Sequence, residues 1–142
     1  MPTVIVESPF KTDTIILVNG EKFVAEEAEN VLYARACLRD CLDRGEAPFA
    51  SHLLYTQEGV LNDAVPEERR QGIEAGFEIA KRFDRRAFYV DRGFSSGMKW
   101  GLVNAWRLQQ VCEVRMLGGR WNVGWLPEIP VAELVSALRE TS

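Results

Sequence analysis

Short β-branched runs alternate with longer stretches of helical periodicity along this chain, and this alternation limits the fold more than any other feature. Thr3-Val4-Ile5-Val6 is typical of a buried strand, and the proline at Pro9 ends it. Residues 86–91 and 111–117 give two further strand patterns, and residues 47–51 form a brief extended stretch. Because helical stretches separate these runs, the pattern predicts a three-layer α/β fold. Its sheet is mostly parallel, with helices on both faces in the flavodoxin-like manner.

Four stretches carry apolar residues at helical spacing. The first runs from Ala25 to Arg44 and is followed by Gly45, where a C′ glycine is expected. The second begins at Pro66, and a last one begins at Pro130. The third covers residues 98–109. Its inward face is predicted to carry Met98, Leu102, Ala105 and Trp106.

Asn19-Gly20 lies between two apolar runs and predicts a small β-hairpin over residues 11–25, inserted between the first strand and the first helix. After Leu117 the chain turns, and Trp121 to Trp125 can form a short further strand before the last helix. Residues 118–142 therefore form a C-terminal extension. A chain of 142 residues is long enough for one hydrophobic core, so we expect residues 1–142 to form a single domain.

Composition limits the classes of partner that the chain is expected to bind. The chain has 17 basic and 21 acidic residues, a net charge of −4, which gives no basic footprint for a nucleic-acid polymer. No window approaches the length of a membrane span and the start has no leader pattern, so we expect a cytoplasmic protein that does not bind a membrane. Cys37 and Cys41 are interpreted as buried apolar residues, and His52 is the single histidine. We expect neither a metal nor a cofactor.

Polar residues follow the predicted strands, at the edge of a parallel sheet where ligands bind. Ser95-Ser96-Gly97 opens a helix, and its hydroxyls and free N–H groups can hold a phosphate or simply cap the helix. His52 can donate to a phosphate or act as an acid, or it can be a hydrogen-bonded structural residue. The candidate binding residues are Ser8, Pro9, Ser51, His52, Tyr55, Ser95, Ser96 and Gly97.

Two carboxylates stand at predicted strand ends. Glu7 follows a buried strand, where a charge is costly unless it is solvated or partnered. It can bind a sugar hydroxyl or transfer protons, or it can form a cap or a salt bridge to Lys11 or an arginine. Asp91 can hold a sugar hydroxyl or can bond the backbone of the turn at Gly93.

Several segments together resemble a family found in phages and bacteria, which is itself similar to the nucleoside 2-deoxyribosyltransferase-like superfamily. The resemblance covers roughly residues 3–117 and leaves out the hairpin. It rests on Glu7-Ser8-Pro9-Phe10, residues 45–57, Pro66-Glu67-Glu68-Arg69, Ser95-Ser96-Gly97-Met98 and Cys112-Glu113-Val114-Arg115.

The resemblance implies a flavodoxin-like homo-oligomer, a dimer or larger, that binds a nucleoside or nucleotide at the strand ends, with Met98 beside the ligand. Enzymes of that superfamily break the N-glycosidic bond with a glutamate located about one helical turn after a Gly-Met pair. In this chain the pair is Gly97-Met98 and the following turn brings Gly101. The expected nucleophile is absent, so we assign Glu7 as the leading carboxylate and Asp91 as its orienting or acid/base partner.

Two hypotheses follow. In the first, the chain is a hydrolase or transferase that cleaves the N-glycosidic bond of a nucleoside monophosphate or transfers its deoxyribosyl group. In the second, it is a non-catalytic nucleotide-binding protein, a sensor or a sequestering protein. Trp100 and Trp106 are interpreted as core or as a subunit interface, which would suit a third, purely structural role.

Overall fold

The computed structural model describes residues 1–10, 15–18, 21–24 and 27–121, with the backbone alone given at 15–18, 21–24, 27–28 and 120. Strands and helices alternate in the predicted order. The elements are β1 (Thr3–Glu7), β2 (Ile15–Val18), β3 (Glu21–Val24), α1 (Glu27–Asp43), β4 (Ala47–Phe49), α2 (Ser51–Leu54), α3 (Pro66–Ala80), β5 (Arg85–Tyr89), α4 (Ser96–Arg107), β6 (Val111–Arg115) and a 3₁₀ turn (Gly118–Arg120).

Four strands form one parallel sheet in the order β4-β1-β5-β6. β1 pairs with β4 on one side and with β5 on the other, so the first strand of the chain is internal to the sheet. The strand order therefore changes direction at β1, where β4 lies to one side and β5 and β6 to the other. In parallel sheets such a change opens a crevice beyond the carboxyl ends of the strands.

The inserted hairpin is confirmed as a separate two-stranded antiparallel pair, with Ile15 opposite Val24 and Val18 opposite Glu21. The Asn19-Gly20 turn lies outside the described residues. So do the predicted strand beyond Trp121 and the predicted helix from Pro130.

The hydrophobic core lies mainly between α1 and the sheet. Tyr33 and Cys37 of α1 are fully buried against Val4 of β1 and Ala87 and Tyr89 of β5. Cys37 and Cys41 are both buried free thiols, as interpreted from the sequence. Alternate residues of β5 face the other way, where Phe88 packs on Met98 of α4. Helices α1 and α4 therefore cover opposite faces of the sheet, which confirms the three-layer prediction.

The ends of two helices follow the predicted chemistry. Gly45 has φ +79°, and after it the backbone N–H of Glu46 donates to Cys41, which closes α1 with a C′ glycine. The Ser95 hydroxyl accepts from the N–H of Met98 at 3.2 Å and caps α4.

Two predictions about helices differ from the structure. Trp106 is 57% exposed, so its predicted place on the inward face of α4 is wrong, and Trp100 is exposed too, which excludes the core from its two interpretations. The other predicted residues, Met98, Leu102 and Ala105, do face inward, together with Gly101. The short helix α2, directly after β4, was not predicted, because four residues are too few to show helical periodicity. Among the described helices, none is both long and apolar enough to cross a membrane.

Candidate functional site

A cleft of about 840 Å³, measured with its open mouth, lies at the carboxyl ends of β1 and β4. The end of β1 forms its floor, α2 and α3 form its walls, and the start of α4 closes one end. The lining residues that the sequence analysis named as site candidates are Glu7, Ser8, Ser51, His52, Tyr55, Ser95 and Gly97.

The walls can stand close together because α3 carries a glycine where it meets α2. A Cβ at Gly76 would lie 2.7 Å from the Ser51 hydroxyl oxygen, so a larger residue would push the helices apart. Ile73 and Phe77 of α3 are half-buried and line the cleft. Together with Phe10 and Leu61 they give it an apolar wall.

Glu7 places a carboxylate in the cleft with little solvent around it, since its side chain is 18% exposed. Burial raises the pKa of Glu7 to about 7, while the nearby Arg86 guanidinium acts in the opposite direction. The Arg86 Nη1 atom lies 3.4 Å from Glu7 Oε1, so the ion pair is long. Glu7 therefore changes its charge in the neutral pH range.

Gly101 of α4 makes room for this carboxylate. A Cβ built on Gly101 would lie 2.5 Å from Glu7 Oε1 and 2.6 Å from its carboxyl carbon, closer than real Cβ contacts allow. The helix position that lacks a side chain is thus the position that the carboxyl group of β1 occupies.

His52 and Ser8 form a neutral hydrogen-bonded pair, with Nε2 2.8 Å from the Ser8 hydroxyl oxygen. Burial lowers the pKa of His52 to about 4, so the ring is uncharged at neutral pH. The ring can still donate or accept one hydrogen bond.

The start of α4 faces Arg69 of α3. The Arg69 Nη2 atom is 3.4 Å from the Ser96 hydroxyl oxygen and would be 3.8 Å from a Cβ at Gly97. A guanidinium, two serine hydroxyls and the N-terminal end of a 12-residue helix therefore meet at one end of the cleft. Arg69 is not among the predicted site residues, although it lies in a segment that carries the resemblance.

The structure places Asp91 outside the cleft, contrary to its predicted role as a site residue. It does not line the cleft, and its fully buried carboxylate is held by the Tyr33 hydroxyl and by the backbone N–H groups of Leu117 and Gly118 at 2.9 and 3.0 Å. These donors fix the chain after β6, so Asp91 has a structural task.

Three further candidates also lie outside the lining of the cleft. Pro9 and Met98 are buried in the protein interior, and Ser96 reaches the cleft through Arg69. Arg86 also lines the cleft and was not predicted. It stands beside Arg85 at the start of β5, so no local pattern marks it, and its partners lie far away in the sequence.

Within the described part of the chain, no three His, Cys, Asp or Glu side chains converge as metal ligands would. The charged groups of the cleft are the carboxylates of Glu7, Asp63 and Glu68 and the guanidiniums of Arg69 and Arg86. The cleft thus offers acid/base and anion-binding groups on an apolar wall.

Comparison with known proteins places the chain in a family. A family model described as "Domain of unknown function (DUF7768)" matches residues 2–115. The chain belongs to this family. The matched segment includes every residue of the cleft, whereas the 3₁₀ turn and the residues after it lie beyond the match.

A solved structure shows the same fold. The chain is similar to the 2-deoxyribosyltransferase of the psychrotolerant bacterium Bacillus psychrosaccharolyticus, with a TM-score of 0.56 and 19% identity over 96% of this chain and 82% of that one. At this identity the likeness confirms the predicted deoxyribosyltransferase-like, flavodoxin-like fold. No curated protein matches the sequence.

Proposed function

We propose that this chain binds a nucleoside 5′-monophosphate in the cleft and cleaves its N-glycosidic bond, with Glu7 facing the anomeric carbon of the sugar. One observation carries the proposal. The Glu7 carboxylate stands in a largely desolvated position in the cleft, against a helix position that has no side chain of its own.

The chemistry suits an ionised carboxylate. As the bond between the sugar and the base breaks, positive charge develops on the anomeric carbon, and a carboxylate beside it stabilises that charge. Attack by a Glu7 oxygen forms a glycosyl ester, while the base leaves with the bonding electron pair and takes a proton from water. Water then cleaves the ester and regenerates Glu7, or a second base accepts the sugar.

The resemblance to the deoxyribosyltransferase-like superfamily supports this role for Glu7. It implies a glutamate about one turn after the Gly-Met pair, where this chain has Gly101. The Glu7 carboxyl group reaches the same helix position from β1. A carboxylate from a neighbouring element can thus serve where the helix has none.

The phosphate of the substrate would lie at the start of α4. Arg69 offers a bidentate cation, and Ser95, Ser96 and Gly97 offer hydroxyl and N–H donors. The neutral pair Ser8 and His52 would hold a sugar hydroxyl, with the apolar wall around Phe77 under the base. Ser51 and Tyr55 would complete the contacts, since both line the cleft.

The direct test is to incubate the protein with a panel of nucleoside 5′-monophosphates and to quantify free base by chromatography. We expect base release from at least one of them, reduced by about a hundredfold or more in Glu7→Gln because an amide cannot supply the charge. Glu67→Gln is the matched control, since Glu67 is exposed and does not line the cleft. Equal loss in both variants would contradict the assignment of Glu7.

The pH profile gives an independent reading. Because the ionised carboxylate is the active form, kcat/KM should rise as the pH increases through about 7. A profile that is flat from pH 5 to 9 would speak against Glu7.

The phosphate site is tested with Arg69→Ala and a matched neighbour, Arg70→Ala. Arg70 is exposed and its ion pair with Glu74 is long, at 3.9 Å. Loss of Arg69 should raise KM for the monophosphate about tenfold and leave the corresponding nucleoside unaffected. Arg70→Ala should change neither value.

The absence of a glutamate at Gly101 favours a second candidate, a non-catalytic nucleotide-binding protein. Its signature is thermal stabilisation by a nucleotide in the wild type and in Glu7→Gln, with no free base in either. An oligomer with neither effect would point to a structural role.

A further inference from the structure

The Arg86 side chain ties three elements together beneath the cleft. Its guanidinium extends from β5, is 1% exposed and lies 3.4 Å from the Glu7 carboxylate of β1. On the other side Nη1 donates to the Gly101 carbonyl at 2.7 Å, and Nη2 donates to Asn104 Oδ1 at 2.7 Å. The two short contacts hold the guanidinium to α4, and the longer contact reaches the carboxylate.

This arrangement is unusual for a buried arginine. Its two short hydrogen bonds go to neutral oxygens, and Nε has no hydrogen-bond partner within the described residues. A guanidinium placed only for stability would be expected to form a close bidentate pair with its carboxylate. Here the helix sets the position of the cation, and the carboxylate is held at a distance.

We propose that Arg86 is a positioning residue for Glu7, and that Asn104 fixes Arg86 so that the carboxylate keeps its place against Gly101 and its free oxygen faces the cleft. The catalytic meaning of this arrangement rests on the proposed function. The positioning itself can be measured without any activity.

The ionisable groups that face one another here are few. Glu7 comes from β1, Arg86 from β5 and the Cys112 thiol from β6, and α4 contributes the neutral groups of Gly101 and Asn104. Burial raises the pKa of Cys112, so this thiol is uncharged at pH 7. The charge of Glu7 therefore depends on its burial and, among these groups, on Arg86 and the residue that holds Arg86.

Asn104→Asp is the sharpest variant, because it replaces an amide with a carboxylate of the same shape. The new anion would compete for the guanidinium and repel Glu7, which should raise the pKa of Glu7 by about one unit or more. Gln109→Glu makes the same change at an exposed position just beyond the end of α4 and is the control.

The measurement is a pH titration of the Glu7 carboxyl resonance by NMR in the full chain labelled with ¹³C-glutamate. The resonance is assigned by its disappearance in Glu7→Gln. A clear upward shift in Asn104→Asp with none in Gln109→Glu is the expected result. Identical titrations in the two variants overturn the positioning role.

Activity adds a second reading. A one-unit shift would lower the ionised fraction of Glu7 at pH 7 about fivefold, so kcat/KM should fall about fivefold at pH 7 and recover at pH 9. Arg86→Lys keeps the charge and loses the fork, so kcat should fall without recovery at high pH. A shifted titration with no base release in any variant would leave the positioning role intact and refute the proposed function.

Discussion

The two faces of the sheet each bury an arginine against a glutamate, and the two pairs differ in every detail. On the face covered by α1, Arg115 holds Glu46 through two parallel hydrogen bonds of 2.7 Å. On the face covered by α4, Arg86 touches Glu7 once, at 3.4 Å. The hydrogen bonds of Arg115 lower the pKa of Glu46, whereas burial raises the pKa of Glu7 to about 7.

The same two residue types are thus arranged in two different geometries. A bidentate pair with a second carboxylate, Glu113 at 2.7 Å, compensates the burial of both charges and locks β6 to the start of β4. A single long contact compensates the charge of Glu7 less well, so this carboxyl group can change its charge near neutral pH. The first pair stabilises the fold, and the second has the perturbed pKa expected of a residue in a candidate site.

Breaking the bidentate pair of Arg115 and Glu46 should have the largest effect on stability. Arg115→Leu leaves Glu46 buried, with Arg85 as its nearest cation at 3.7 Å. We expect a loss of about 3–5 kcal/mol in the free energy of unfolding, measured with urea. Arg39→Leu removes an exposed pair with Asp43 and should cost less than about 1 kcal/mol. Similar losses in the two variants would contradict this contrast.

The pair of Glu7 and Arg86 should make the free energy of unfolding depend on pH. The pKa of Glu7 is higher in the folded protein than its ordinary value of 4.5, so its contribution to stability is complete at low pH and is lost as the pH rises through about 7. From pH 5 to 8 the wild type should lose about 2–3 kcal/mol relative to Glu7→Gln. Parallel stability curves for the two proteins over this range would refute the raised pKa.

The contact between Glu7 and Gly101 can be tested with a double-mutant cycle. Gly101→Ala places a Cβ 2.5 Å from Glu7 Oε1 and should cost about 1–3 kcal/mol. In a Glu7→Ala background the space is free, and the same change should stabilise α4 by up to about 1 kcal/mol because alanine favours helix. A cost that is unchanged in that background would show that something other than Glu7 crowds Gly101.

Loss of the Glu113 carboxylate, which pairs with Arg115 at the protein surface, should have the smallest effect on the free energy of unfolding. The Glu113 side chain is 35% exposed and pairs with both Arg85 and Arg115. Glu113→Gln should therefore cost at most about 1 kcal/mol in urea unfolding, because solvent screens this carboxylate. A loss as large as that of Arg115→Leu would mean that the bidentate pair with Glu46 cannot hold Arg115 alone.

Much of the fold could be predicted from the sequence pattern, because β1, β5, α1 and α4 bury the apolar residues that mark them. Two kinds of feature could not. Helix α2 is too short to show a period, and the aromatic residues Trp100 and Trp106 are apolar without being buried. Hydrophobicity alone does not decide which side of α4 meets the sheet.

The candidate site could be predicted only in part. The rule that ligands bind at strand ends identified Glu7, Ser8 and His52, which the structure brings together. It also selected Asp91, which is at a strand end but turns into the core, where Tyr33 and the chain after β6 satisfy it. Tertiary structure, and not local sequence, determines which way a side chain points and which distant donors it meets. Arg69 and Arg86 were missed because their partners are far away in sequence.

The internal place of β1 has a consequence for how the chain acquires its shape. Thr3 pairs with Ala47 and Val4 with Arg85, so β1 is synthesised well before either of its neighbours in the sheet. Such distant pairings slow folding. In a nascent chain β1 is unpaired until β4 emerges and keeps one open edge until β5 emerges, so the floor of the cleft cannot be completed before β5 has been made.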